Sequence, residues 1–209
     1  ALLLNSVPVQ GAILHEQDFE ALSLGSLSGQ DGYTAMAQAQ VASGGLTCTN
    51  GDVSVAGGAK CVAFPGLPIS VNNWVFSRTF AEQSGTVYFS LAMTWTNMKE
   101  DKDMLLFALS NDVHTSPVAL ANSAGVHINF NGTFVPGLIN GRIRGNTTGD
   151  TTATSSGKAG GANTTSPQFI VGCIDKDSST NYNRLRLWVN PTSYKEGTPD
   201  VAVTRDIGI

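Results

Sequence analysis

Glu16, Asp18 and Glu20 stand at alternate positions near the start of the chain. On a β-strand, residues i, i+2 and i+4 share one face. Three carboxylates there could hold a hard cation, or two of them at about 5 Å could work as the pair of a retaining glycosidase. A charged solvent face on an edge strand produces the same spacing and discourages aggregation, and this is the plainer reading. A second oxygen-rich run is Asp175-Lys176-Asp177-Ser178-Ser179-Thr180-Asn181. Asp175 and Asp177 are its candidate calcium ligands. The run lacks the glycine and the terminal glutamate of an EF-hand loop, so a hairpin turn competes with a surface Ca²⁺ site.

The three histidines, His15, His114 and His127, lie in no nucleophile-elbow or zinc-helix context. No Cys/His spacing suits zinc, and no glycine run suits a phosphate loop. Trp74, after Asn72-Asn73, and Tyr182, in a polar turn, are the candidate sugar contacts. Trp95 and Trp188 sit in apolar runs and belong to the core. No residue is assigned a catalytic role, the chain is expected not to be an enzyme, and calcium is the one candidate cofactor.

Three cysteines are present. Cys48 and Cys61 flank turn-like Asn50-Gly51-Asp52 and Gly57-Gly58, and a disulfide between them would contribute about 3 kcal/mol on the chain-entropy model. That leaves Cys173, in Phe169-Ile170-Val171-Gly172-Cys173-Ile174, as a buried thiol or an intermolecular bridge. Sequons occur at Asn131, Asn146 and Asn163.

The elements that must position these groups are short strands. Thr86 to Trp95 is the clearest, β-branched and aromatic throughout. Others are expected at residues 13–20, 53–55 and 60–64 (the last two around a Gly-Gly turn), 75–80, 104–109, 126–130, 138–143, 168–174, 185–189 and 201–204, with turn residues between them. Residues 145–167, rich in Gly, Thr, Ser and Ala, are expected to form a long loop. Many short strands and no long 3.6-residue periodicity mean an all-β sandwich or barrel. In a two-sheet arrangement Val87, Phe89, Leu91, Phe107, Ile174 and Leu187 should point inward.

Of the 209 residues, 13% are charged, about half the usual share, and the net charge is −4. No basic stripe exists for nucleic acid. No apolar run reaches the roughly 18 residues that span a bilayer. Solubility rests on Ser, Thr and Asn, as in extracellular β-proteins and filament subunits.

Asp18-Phe19-Glu20 followed by Gly29-Gln30-Asp31-Gly32-Tyr33 resembles the opening of secreted bacterial concanavalin A-like (laminin G-like) jelly-roll domains. Thr86-Val87-Tyr88-Phe89-Ser90 is similar to their central strand. Val171-Gly172-Cys173-Ile174-Asp175 with Leu185-Arg186-Leu187-Trp188-Val189-Asn190-Pro191 is similar to a strand pair near their C-terminal end. The resemblance implies a two-sheet antiparallel jelly-roll sandwich over residues 13–209. Such domains carry a further closing strand that the sequence to Ile209 does not show, which would leave a sheet edge as a template for another chain.

Residues 1–12, Ala-Leu-Leu-Leu-Asn-Ser-Val-Pro-Val-Gln-Gly-Ala, form an extended apolar N-terminal segment, either a signal remnant or an assembly strand. Leu2, Leu4, Val7 and Val9 are the expected assembly residues. The expectation is a secreted or cell-surface structural protein that joins copies of itself by N-terminal strand exchange. A secreted carbohydrate-binding module with a polysaccharide partner is the alternative, and a polysaccharide hydrolase or lyase stands behind it.

Overall fold

The computed structural model describes residues 17–35, 39–64, 76–95, 103–110, 123–129, 138–144, 153–159, 166–195 and 197–205. Among these residues there are fifteen strands and no helix. In chain order they are β1 (Gly25–Ser26), β2 (Thr34–Ala35), β3 (Gln40–Ser43), β4 (Cys48–Asn50), β5 (Val53–Val55), β6 (Lys60–Ala63), β7 (Phe76–Ser77) and β8 (Val87–Met93), then β9 (Asp103–Ser110), β10 (Ser123–Asn129), β11 (Leu138–Arg144), β12 (Ala153–Ala159), β13 (Gln168–Asp175), β14 (Arg184–Val189) and β15 (Val201–Thr204).

The two largest sheets follow from strands that, β12 apart, carry apolar residues at alternate positions. One has the order β15-β14-β13-β8, the other β12-β11-β10-β9, and all pairs are antiparallel. Register sets Val87 against Ile174, Phe89 against Gly172 and Leu91 against Ile170. Across the next ladders Leu185 meets Ile174 and Val203, and Leu187 meets Gly172 and Val201. Alternation puts all of these on one face. That face packs on the other sheet in one cluster with Val126, Ile128, Ile139 and Ile143. A side chain at Gly141 would meet Val201 Cγ1 at 2.9 Å and Leu185 Cδ2 at 3.3 Å, so the sheets touch backbone to side chain there. The architecture is sandwich-like. Val87, Ile174 and Leu187 lie in its core, and Phe89, Leu91 and Phe107 pack against it, as alternation requires.

A smaller apolar cluster of Leu22, Leu27, Tyr33, Ala39 and Val41 belongs to the N-terminal third, where β1, β3 and β6 form a three-stranded sheet. The β4–β5 hairpin ties this third to the end of β14. Asp52 N–H donates to Thr192 O at 2.9 Å, and Ser54 N–H donates to Tyr194 Oη at 3.0 Å.

Three sequence expectations change. The strand expected over 13–20 is a turn in its described part: Phe19 has φ 66°, Phe19 N–H donates to Gln17 Oε1, and Glu20 N–H donates to Asp18 Oδ1. Polar side chains that bond nearby amides compete with a ladder, and here they win. The loop expected over 145–167 contains β12, which pairs with β11. A ladder needs only main-chain groups, so an existing edge can recruit a weakly patterned Thr/Ser segment. Finally, Val53–Val55 and Lys60–Ala63 do not form a hairpin with each other: β5 pairs with β4, and β6 pairs with β3.

Candidate functional site

The flank of the sandwich formed by β8 and β9 differs from the opposite one. At the edge strand β15 the inward side chains Val201 and Val203 are 2% and 6% exposed. At the edge strand β8, Phe89, Leu91 and Met93 are only partly buried, as are Phe107 and Leu109 on β9. The Phe89 and Phe107 rings bridge the sheets at 4.5 Å between centroids. Phe89 fits because residue 172 is glycine: a Cβ there would lie 2.6 Å and 2.7 Å from Phe89 Cε2 and Cε1.

Sheet edges are normally blunted by short length, charge or proline. β15 is four residues long and β12 carries Lys158. β9 begins with Asp103. β8, Val-Tyr-Phe-Ser-Leu-Ala-Met, is seven residues with no charge and no proline. Among the described residues its ladder partner is β13 alone. Tyr88, on its outer face, is 61% exposed.

A polar network occupies the outer face at the turn between β13 and β14. Asp175 lies opposite Arg184 in register. Arg184 Nε donates to Asp175 Oδ1 at 2.7 Å, and Arg186 donates to Asp175 Oδ2 at 2.8 Å. Asp177 lies 3.1 Å from the same Arg184. Burial pushes the Asp175 carboxyl up, but the hydrogen bonds and charges of the two arginines outweigh it and hold the group below the usual carboxylate range. The structure therefore does bring Asp175 and Asp177 together around a cation, and that cation is a guanidinium. Bidentate pairing of this kind suits arginine. The arginines were missed as partners in the sequence. The signal was there, since a hairpin closing at 176–183 sets Asp175 beside Arg184.

Tyr182 packs against the core, and its hydroxyl donates to Gly85 O. Lys176 Nζ lies 5.0 Å from the ring centroid. Burial, with the charge of Glu82, raises the phenol's pKa. A ring bonded at its hydroxyl and covered by a lysine braces the residues just before β8 against the β13–β14 turn. Trp95 and Trp188 are buried, as expected for core residues. Trp188 Nε1–H donates to Gly197 O at 2.9 Å, and Arg186 lies over its ring.

Cys48, Cys61 and Cys173 are free thiols. The pairing expected for Cys48 and Cys61 fails on topology, because Cys48 faces Val55 on β5 while Cys61 faces Ala42 on β3. Burial raises the pKa of both thiols. Of the acidic trio, Glu20 Oε1 accepts from Ala59 N–H and Lys60 N–H at 2.6 Å and 2.7 Å, and so anchors the start of β6. Glu16, Trp74, His15, His114, the three sequons and the assembly residues Leu2, Leu4, Val7 and Val9 lie outside the described residues.

A cleft of about 240 Å³ lies between β4, the start of β13 and Asn190-Pro191, lined by Cys48, Asn50, Gln168, Phe169 and Asn190. Its amides bond one another: Asn190 Nδ2 donates to Gln168 Oε1 at 2.7 Å, and Asn50 Nδ2 donates to Asn190 O. No protein-family model, curated protein or solved structure matches this chain.

Proposed function

We propose that this chain is a non-enzymatic extracellular structural protein, a filament subunit that joins copies of itself by strand exchange through residues 1–12. The body it presents is a concanavalin A-like jelly roll. The observation that carries the reading is β8, which among the described residues pairs with β13 alone and is seven residues long without the charge, proline or brevity that keeps edges from pairing. A strand that adds to such an edge satisfies its own main-chain groups and those of the edge together. Residues 1–12 supply an apolar segment for that place, and each large side chain buried there stabilises the contact by about 1.5–3 kcal/mol. Low charge and abundant hydroxyl and amide side chains suit a secreted or cell-surface location.

The test is negative-stain electron microscopy and sedimentation velocity over rising concentration, on the full chain and on the chain lacking residues 1–12. Ordered polymers should form from the first, and monomers or amorphous aggregate from the second. Normal polymers from the truncated chain would overturn the reading. The amide-lined cleft favours a second reading, a carbohydrate-binding module whose Asn50 and Asn190 exchange their mutual bonds for sugar hydroxyls. Saturable calorimetric binding of a soluble polysaccharide, lost in Asn190→Ala, would support it over assembly.

A further inference from the structure

We infer that Asn50 is a site of self-modification: in the folded chain it cyclises onto Gly51 and hydrolyses to aspartate or isoaspartate, while the same dipeptide at Asn140-Gly141 stays intact, and the conversion releases the β4–β5 hairpin from the end of β14. The inference is independent of the strand-exchange reading and of the carbohydrate reading.

The chemistry needs only water. The main-chain nitrogen of Gly51 attacks Asn50 Cγ and gives up its proton to the solvent. The bond from Cγ to the side-chain nitrogen breaks, ammonia leaves, and a five-membered succinimide remains. Water then adds to one ring carbonyl and opens a ring C–N bond. Opening at Cγ gives aspartate, and opening at the main-chain carbonyl gives isoaspartate, with the chain routed through the side chain. One water is consumed, one ammonia is released, and nothing is oxidised or reduced. Glycine after asparagine favours the attack because it has no Cβ to crowd the nitrogen. The sequence holds three such dipeptides, at Asn50-Gly51, Asn131-Gly132 and Asn140-Gly141. The second lies outside the described residues.

The fold separates the other two. Asn140 is 1% exposed, and Gly141 is held in ladders on both sides, opposite Val126 and Ser155. Bringing Gly141 nitrogen onto Asn140 Cγ requires opening a central strand, which costs a large part of the global stability. Asn50, Gly51 and Asp52 are all exposed, at the tip of a two-stranded sheet of only three residue pairs. Such a hairpin is marginally stable by itself and opens at small cost. Among the described residues the Gly51 N–H donates to no acceptor. The consequence follows from what the tip touches. Asn50 Nδ2 donates to Asn190 O, and Asp52 N–H donates to Thr192 O. A carboxylate only accepts, so it loses the first bond and faces the Asn190 carbonyl with like charge. A Cβ on Gly51 would lie 2.6 Å from Thr192 O, so the tip has no room on that side for the extra main-chain carbon of isoaspartate.

The experiment ages the full-length chain in mildly alkaline buffer, once folded and once in denaturant. Acid-quenched digests are mapped by mass spectrometry, which reads amide-to-acid conversion at each asparagine and separates the isoaspartyl peptide by its elution. In denaturant Asn50 and Asn140 should convert at similar rates, because both precede glycine. In the folded chain Asn50 should convert roughly 10-fold faster than Asn140 or more, the ratio set by the cost of opening each strand. Asn50→Gln should suppress conversion at position 50, since closure would then need a six-membered ring. Hydrogen exchange reads the release: the amides of Asp52 and Ser54, which bond Thr192 O and Tyr194 Oη, should exchange faster in the aged chain and in Asn50→Asp. If Asn50→Asp does not fold, the aged wild type carries that measurement. Equal rates at Asn50 and Asn140 in the folded chain would overturn the site. Unchanged exchange at Asp52 and Ser54 in chains converted at Asn50 would overturn the release.

Discussion

Gly172→Ala is the sharpest test of the packing that shapes the β8 flank. Gly172 and Phe89 are directly paired across the β13–β8 ladder. The added methyl would lie 2.6 Å from Phe89 Cε2, well inside van der Waals contact. Phe89 is the neighbour that has to move, and Phe107 holds its ring from the other sheet at 4.5 Å between centroids. Overpacking of this kind costs about 1–3 kcal/mol. Against it, alanine gains roughly 0.5–1 kcal/mol over glycine inside a strand. The single variant should therefore lose up to about 2.5 kcal/mol, the difference of those two figures. At about 2–4 °C per kcal/mol for a chain of this size, the melting temperature should fall by a few degrees.

Phe89→Ala alone should cost less than the roughly 3–5 kcal/mol of a fully buried phenylalanine, because Phe89 is only partly buried. In the Phe89→Ala background the clash is gone, and Gly172→Ala should become neutral or stabilising. The assay is chemical denaturation of the wild type, the two single variants and the double variant, read as a cycle. A coupling of about 0.5–3 kcal/mol is expected for residues in contact. Additive losses would refute the reasoning, because they would mean that the glycine is required by something other than the phenyl ring.

Asp175→Asn should destabilise the chain by about 1–3 kcal/mol, since charged hydrogen bonds are lost while the partly exposed arginines recover some hydration. Because the folded-state pKa of Asp175 is lowered, its contribution is present above the unfolded value near 4 and is lost as pH falls through the folded one. Melting temperature against pH should thus show an acid loss below about pH 4 in the wild type that is smaller in Asp175→Asn, with little difference in slope from pH 5 to 8. All three thiols should titrate with a thiol reagent in denaturant without reductant. In native buffer Cys48 and Cys173 should react slowly, because both are buried and the reactive thiolate of Cys48 is further suppressed by its raised pKa. A count of one thiol in denaturant would restore the Cys48–Cys61 disulfide.

Alternation and composition by themselves determined that the chain is all-β, that Val87, Ile174 and Leu187 are core, and roughly where β8, β10, β11, β13, β14 and β15 lie. Those are local properties: a period of two and β-branched side chains act over a few residues, whatever the rest of the chain does. Only the tertiary structure decided which strands pair. Cys48 and Cys61 are thirteen positions apart yet belong to different sheets, because each strand takes the partner that best covers its apolar face. It also decided that Ala153–Ala159 is a strand, that Asp175 and Asp177 converge on Arg184, and that Tyr182 is a brace. The bareness of β8 belongs to the same class. Its lack of charge can be read in the residues, but a strand becomes an edge only through the order of its sheet, and that order is set by long-range contacts that no local pattern encodes.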